Sequence, residues 1–422
     1  MNWNPSVPAA GAAPRPDDST PGMTHPISTD FDSTSGAPVA ASQDYASTRP
    51  AWVEVDLSVL ANNVRLIRAD LSKAVRLLYV VKDEAYGMGA VAAAKVALAN
   101  GVDHLAIYTL EEAAALREAG ITAPILILGE RTPLEIPGVI ELKLTPCVSS
   151  LEMAREFDAA GRRRNRPVPV HIKVNSGMNR FGFHWREVDA WSRAVAGLGG
   201  LRIDGILSHF AQSDEADKTF AHEQIRRFEE CLRVWGTVAP RPPLVHMCNS
   251  GGFLDLPEAH FDMVRVGLLM GGVFPSTVCR RIPGIASALS VRTRIAAIQP
   301  LEPGDTVGYG MRWSATRRSR IAVLPVGYGD GFPRVRNQGE ALIFGRRVPL
   351  VGGVAMDALT VDITDLPGAE VGTEAVLMGC QGAEEITARD LARLKQSVTY
   401  DVLVGWRRRL PRVYRGGSGV AP

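Results

Sequence analysis

Lys82 ends the apolar run Leu77-Leu78-Tyr79-Val80-Val81 and opens the segment Asp83-Glu84-Ala85-Tyr86-Gly87-Met88-Gly89. Lysine is rarely buried without a reason. A β-branched apolar run bounded by a glycine-rich turn reads as a fully buried strand, which puts the amine at the strand's C-terminal end. Desolvation there weakens the preference for charge and yields a nucleophilic amine, the group that Schiff-base chemistry with an aldehyde requires. The alternative is a lysine leaving the strand into water along its aliphatic stem. Polar groups recur past other apolar runs: Lys173-Val174-Asn175-Ser176 with Arg180, Ser208-His209, Asn249-Ser250-Gly251-Gly252, and Arg265 with Gly267-Leu268. The glycine-bearing segments read either as a phosphate cradle, since glycine lets backbone N–H groups approach an anion, or as ordinary turns.

Such residues need a scaffold that gathers strand ends. Between Leu77 and Gly272, strand-like runs alternate with helical patterns at 77–81, 105–108, 125–129, 140–145, 168–174, 203–208, 244–248 and 263–267. Eight strands over about 200 residues fit an α/β architecture, a parallel (β/α)8 barrel of the TIM type, with a doubly wound open sheet as the alternative. In a barrel the loops after the strands share one face, so Lys82, Tyr86, Lys173, Arg180, His209, Ser250 and Arg265 would converge. Asp56 is placed to cap a helix through Leu57, Leu60, Val64 and Ile67. After Ile285 the pattern becomes all-β, with alternation at 289–295, 321–326, 348–351 and 359–362 among Gly/Pro turns. The expected division is a disordered extension at 1–49, a barrel at 50–284, a mostly β C-terminal domain at 285–416 and a tail at 417–422. The strand at 50–56 precedes the barrel and is expected to pair with the C-terminal domain.

Composition narrows the function classes. At 422 residues, with 46% hydrophobic and 22% charged residues and a net charge of +2, the chain can bury a large core but carries no basic stripe for nucleic acid. Five cysteines without a C-x-x-C pair argue against a zinc site or a disulfide framework. No apolar run approaches membrane-spanning length, and the N-terminal residues have neither a basic n-region nor an apolar h-region, so a cytoplasmic protein is expected.

Six segments together resemble the fold-type III alanine racemases, over residues from about 50 to 415. They are Val80-Val81-Lys82-x-x-Ala85-Tyr86-Gly87, the run from His171 to Gly182, Ser208-His209-Phe210, Val264-Arg265-Val266-Gly267, Val307-Gly308-Tyr309-Gly310 and Met356-Asp357. The resemblance implies pyridoxal 5′-phosphate as cofactor, held by Lys82, and racemisation of a small amino acid, L-alanine to D-alanine, for cell-wall synthesis. Lys82 and Tyr309 would be the two bases, with Tyr309 reaching the barrel of the other subunit of a homodimer. Arg265 would donate to the pyridine nitrogen, His209 would connect Arg265 with Tyr309, and Tyr86, Ser250, Gly267 and Leu268 would bind the phosphate. Arg180 would orient the substrate carboxylate, Tyr328 and Met356 would line the entrance and the small substrate pocket, and Lys173 matches a position often carbamylated. Met88, Gly271, Trp313, Trp406 and the pair Asp83-Glu84 depart from the family pattern. A serine-preferring or broad-specificity racemase and a non-catalytic cofactor-binding protein are the alternatives. A basic amino-acid decarboxylase is disfavoured by Arg265, since those enzymes usually meet the pyridine nitrogen with a carboxylate.

Overall fold

The computed structural model describes residues 48–416. The expected extension, apart from Thr48 and Arg49, and the expected tail lie outside the described residues. Arg49 is held in place: its guanidinium pairs with both carboxylate oxygens of the fully buried Asp330 at 2.9 Å.

Strand β1 (Ala51–Asp56) runs into helix α1 (Leu57–Ala69), where the Asp56 carboxylate accepts the Ser58 and Val59 N–H groups. Leu57, Leu60, Val64 and Ile67 form the buried stripe of that helix. The barrel strands follow as β2 (Arg76–Val80), β3 (His104–Ile107), β4 (Ile125–Ile127), β5 (Thr145–Val148), β6 (Val168–Asn175), β7 (Leu201–Leu207), β8 (Leu244–His246) and β9 (Met263–Val266). Neighbours pair in parallel from β9 through β2 to β8. The seam between β8 and β9 carries two backbone hydrogen bonds, Asp262 N–H to Val245 O at 2.9 Å and Arg265 N–H to Cys248 O at 3.1 Å. Strand order follows chain order around this nearly closed ring, which a doubly wound sheet cannot do.

The helices include α2 (Ala90–Ala99), α3 (Leu110–Glu118), α4 (Ile136–Glu141), α5 (Leu151–Arg163), α6 (Val188–Ala196), α7 (Thr219–Trp235) and α8 (Ser250–Asp255). The fourth barrel strand departs from expectation. Residues 140–145, which alternate like a strand, instead finish α4, and β5 begins at Thr145. Lys143 adopts φ 52° and the Leu144 N–H bonds back to Val139 O, so the alternation there belongs to a helix end that buries Val139 and Leu144.

The C-terminal region contributes β10 (Leu289–Arg294), β11 (Ala297–Leu301), β12 (Ser319–Leu324), β13 (Glu340–Ile343), β14 (Arg346–Pro349), β15 (Leu359–Asp362), β16 (Glu374–Gln381), β17 (Glu384–Ile386) and β18 (Arg412–Arg415). Helices α9 (Ala388–Lys395) and α10 (Thr399–Gly405) lie between the last two. One sheet has the order β14-β13-β16-β10-β1-β18 with β17 beside β16, and a second has the order β11-β12-β15. β1 pairs antiparallel with β10 and parallel with β18, so the first strand of the described chain belongs to the C-terminal sheet. Among the described residues no helix is long and apolar enough to cross a membrane.

Candidate active site

Leu77, Leu78 and Tyr79 are fully buried in β2, and Lys82 follows two residues past the strand. The backbone then does something unusual: Asp83, Glu84, Ala85 and Tyr86 all adopt left-handed helical angles, with φ between 51° and 58°. Each costs about 1–2 kcal/mol relative to right-handed backbone, so the turn persists only where its surroundings over-determine it. They do. The Ala85 N–H bonds to Val81 O at 2.9 Å, and the Gly89 N–H to Glu84 O at 2.8 Å. The Asp83 N–H donates to Glu112 Oε1 at 2.6 Å, while Glu84 accepts from the Ala90 N–H at 3.1 Å and from Arg408 at 2.6 Å. Asp83-Glu84 thus opens the left-handed turn, a conformation that an aspartate tolerates better than most residues. Burial, and then the charge of Arg180, lower the Lys82 pKa, against the opposing charges of Asp83 and Glu112. The amine is therefore easier to deprotonate than an ordinary lysine.

Arg265 projects from β9 and is buried with no ion-pair partner among the described residues. Neutral acceptors hold it instead. Its Nη1 donates to His246 Nδ1 at 2.9 Å, and its Nη2 to His209 Nδ1 at 2.8 Å, Ser208 O at 2.9 Å and Met247 O at 3.0 Å. A guanidinium only donates, so both Nδ1 atoms must accept. His246 then carries its proton on Nε2 and donates it to His171 Nδ1 at 2.9 Å, and His209 likewise carries its proton on Nε2. Burial followed by the charge of Arg265 keeps His209 and His246 neutral, and burial pushes His171 down to about 3. Burial also lowers Arg265 to about 10, still a cation at neutral pH. Its Nε–H has no acceptor among the described residues, which leaves a donor for a group in the cavity.

The opposite end of the site gathers hydroxyls around a glycine. Gly267 follows β9, and a Cβ there would sit 2.5 Å from the Tyr86 hydroxyl, so only glycine fits. The Gly267 N–H donates to Ser250 Oγ at 3.3 Å, at the start of α8, which Asn249 caps by accepting the Gly252 N–H. The Tyr86 and Tyr400 rings lie 6.1 Å apart at 59°. Burial raises both phenols, Tyr400 to about 12 and Tyr86 further, so each stays a neutral hydrogen-bond donor.

Lys82, Tyr86, Lys173, Arg180, His209, Ser250, Arg265, Gly267 and Leu268 all line one cavity of about 600 Å³ at the barrel mouth. Lys173 is buried, with its Nζ 5.4 Å from the Phe181 ring centroid and no ion pair among the described residues. Burial lowers its pKa too. The cavity suits pyridoxal 5′-phosphate: an amine for the aldehyde, an N–H donor for the ring nitrogen, and hydroxyls beside a glycine gap for the phosphate.

Three expected residues lie elsewhere. Tyr309, Tyr328 and Met356 line a second cavity of about 610 Å³ with Arg334, Arg336 and Asp357. Tyr309 is 77% exposed, in a turn where Gly308 and Gly310 have φ of 73° and 77°. Within one chain, therefore, Tyr309 does not meet Arg180 or His209. Tyr400 is a lining residue that the sequence reading does not include, while Trp406, one of the departures from the family pattern, is buried in the core 6.4 Å from the Phe332 ring. Met88 and Gly271 pair up, since a Cβ on Gly271 would lie 3.1 Å from Met88 Cε.

Residues 55–275 match the family model described as alanine racemase, N-terminal domain, and residues 288–414 match the corresponding C-terminal domain. An alanine racemase of Symbiobacterium thermophilum is 40% identical over 374 residues, covering 88% of this chain and 99% of that protein. The crystal structure of alanine racemase from Bacillus anthracis with bound L-Ala-P superposes with a TM-score of 0.81 at 33% identity, covering 87% of this chain and 96% of that one. The alanine racemase of Bartonella henselae with covalently bound pyridoxal phosphate shares the fold, with a TM-score of 0.79 at 24% identity over 86% of this chain and 99% of that one.

Proposed function

The chain belongs to the alanine racemase family, and from that premise we propose how its residues divide the work of a pyridoxal 5′-phosphate-dependent racemase acting on alanine. The carrying observation is that the Lys82 amine and the unpartnered Arg265 Nε–H line one cavity whose far end is Tyr86, Ser250 and Gly267. Lys82 would hold the cofactor, Arg265 its ring nitrogen, and Tyr86, Ser250, Tyr400 and the backbone at Gly267 and Leu268 its phosphate. Bound there, the cofactor supplies an electron sink for Cα, weakened because a guanidinium does not give its proton to the ring.

Racemisation needs a proton taken from one face of Cα and returned on the other. The Lys82 amine, with its lowered pKa, serves one face. The Tyr309 phenol serves the other, from the partner subunit. The Nε2–H of His209 is free to donate to that phenol's oxygen and would stabilise it when deprotonated. Arg180, at the same mouth, would receive the substrate carboxylate. Tyr328 and Met356 would come with Tyr309, as entrance and pocket wall. The Lys173 amine can take up CO2 as a carbamate with release of a proton, becoming an anion beside Arg180. A homodimer follows from the division of bases, and exposed apolar groups support it on both faces: Met311 and Met356 beside Tyr309, and Tyr108 and Val398 at the barrel mouth. We place the protein in the cytoplasm, since all five cysteines are free. The barrel would span 50–284, with its leading strand at 50–56 given to the C-terminal sheet, and the β domain 285–416.

The test is the visible absorbance of lysine-bound cofactor together with circular dichroism of L-alanine and L-serine turnover. Wild type is expected to be coloured and to racemise alanine, and Lys82→Ala to lose both, with activity down by more than about 10⁴-fold once anchor and base go together. Colourless wild type in excess cofactor would contradict the assignment, and faster turnover of serine would move the substrate.

A further inference from the structure

The turn behind Lys82 is gripped from outside by one carboxylate. Glu112, in the first turn of α3, accepts the Asp83 N–H on Oε1 at 2.6 Å, and on Oε2 the N–H groups of Tyr108 at 2.7 Å and Thr109 at 3.1 Å. Both oxygens are thereby engaged, one on the left-handed turn and the other on the chain that leaves β3. We propose that Glu112 is a positioning residue for racemisation: its carboxylate ties the left-handed turn to the end of β3 and so fixes where Lys82 presents its amine.

Four consecutive non-glycine residues in the left-handed region do not hold that shape alone. The bonds from Ala85 to Val81 and from Gly89 to Glu84 close the turn on itself, and Arg408 holds it through Glu84. None of these three contacts engages the N–H of Asp83, the residue directly bonded to Lys82. The Asp83 N–H to Glu112 bond sets the first step of the turn against the barrel, and hydrogen bonds to a carboxylate are the stronger kind. Without it Asp83 can relax toward right-handed backbone, which swings the Lys82 side chain at its root. The charge of Glu112 also acts on the amine directly, together with Asp83 and against Arg180.

This inference rests on the reading of Lys82 as one of two bases, so the test separates the two. Loss of deuterium from Cα of each alanine enantiomer is measured on holoenzyme for wild type, Glu112→Ala, Glu112→Gln, Thr109→Ala and Tyr309→Phe. Tyr309→Phe identifies the enantiomer served by Tyr309; the other is served by Lys82. Glu112→Ala is expected to slow exchange from the Lys82-served enantiomer by about 10²-fold, the scale of a 1 Å misplacement, with the cofactor absorbance retained. Glu112→Gln keeps one accepting oxygen and is expected to lose about tenfold, and it carries the test should the alanine variant fail to fold. Thr109→Ala removes the Thr109 Oγ1 cap on the Glu112 N–H but not the Asp83 contact, and is expected to leave the ratio between enantiomers unchanged. Equal slowing of both enantiomers in the Glu112 variants, or none, with Tyr309→Phe still selective, overturns the role of Glu112 alone. Equal slowing in Tyr309→Phe overturns the two-base division, and this inference with it.

Discussion

The barrel mouth and the β-domain face that bears Tyr309 differ in how they hold their polar groups. At the mouth, Arg265 is 3% exposed and makes four hydrogen bonds that fix its plane and the tautomers of two histidines. On the β-domain face, Tyr309 is 77% exposed and its phenol has no partner among the described residues. One region is preorganised by its own chain, while the other, on the proposed division of bases, would be completed by the partner subunit. Substitutions in the two regions would therefore be felt differently. Changes at the mouth are expected to act through packing and protonation, and changes at the exposed Tyr309 through chemistry with little effect on the fold.

The largest expected effect breaks that contrast most sharply. Tyr309→Phe removes an exposed hydroxyl, so the melting temperature should hold within a degree or so of wild type, as for most surface changes. Racemisation should fall by about 10²–10⁴-fold, the usual contribution of a positioned acid or base. Parallel thermal melts and circular dichroism assays check it, and a marked loss of stability would mean that Tyr309 is a packing residue.

At the mouth the balance reverses. Gly267→Ala would place a Cβ 2.5 Å from the Tyr86 hydroxyl, and relieving that clash costs about 1–3 kcal/mol. Cofactor affinity, read by titration of the visible absorbance, should weaken by about 5- to 150-fold. An unchanged affinity would move the phosphate elsewhere.

A third effect, on stability and not on chemistry, is graded with pH. None of the chain's eight histidines lies beyond His260, and His171, His209 and His246 sit buried and neutral inside the barrel. Their folded pKa values lie below the unfolded 6.5, so below that pH the unfolded chain binds more protons. Stability then rises with pH up to about 6.5 and is lost as pH falls below it, by about 1.4 kcal/mol per unit for each such histidine. Melting temperatures between pH 4.5 and 7.5 check the sign, and hydrogen exchange should show the barrel loosening before the β domain. A flat profile would contradict the neutral tautomers.

The same contrast explains what the sequence made legible. Barrel residues could be read because each lies within a few residues of a buried strand end: Lys82 past β2, Arg265 and Gly267 on and after β9. Tyr309 was visible only through the family resemblance of Val307-Gly308-Tyr309-Gly310, whose glycines take the positive φ values of the turn. Tyr400 was not visible. It enters the cavity from α10, more than 100 residues after the last barrel strand, in a seven-residue helix without a side-chain N-cap. The left-handed turn was equally hidden, since Asp83 and Glu84 announce acidity, not handedness. Misplacing β5 has a local cause: Val139 and Leu144 flank a helix end whose spacing imitates alternation.

The decisive measurement is complementation between two inactive variants. Lys82→Ala and Tyr309→Phe homodimers are each expected to be nearly inactive. Mixed under conditions that exchange subunits, half the dimers become hybrids, and each hybrid contains one site with Lys82 from one chain and Tyr309 from the other. Activity should then recover to about a quarter of the wild-type value. A mixture that stays as inactive as its parents, with hybrid dimers demonstrably present, would place both bases in a single chain and contradict the shared site.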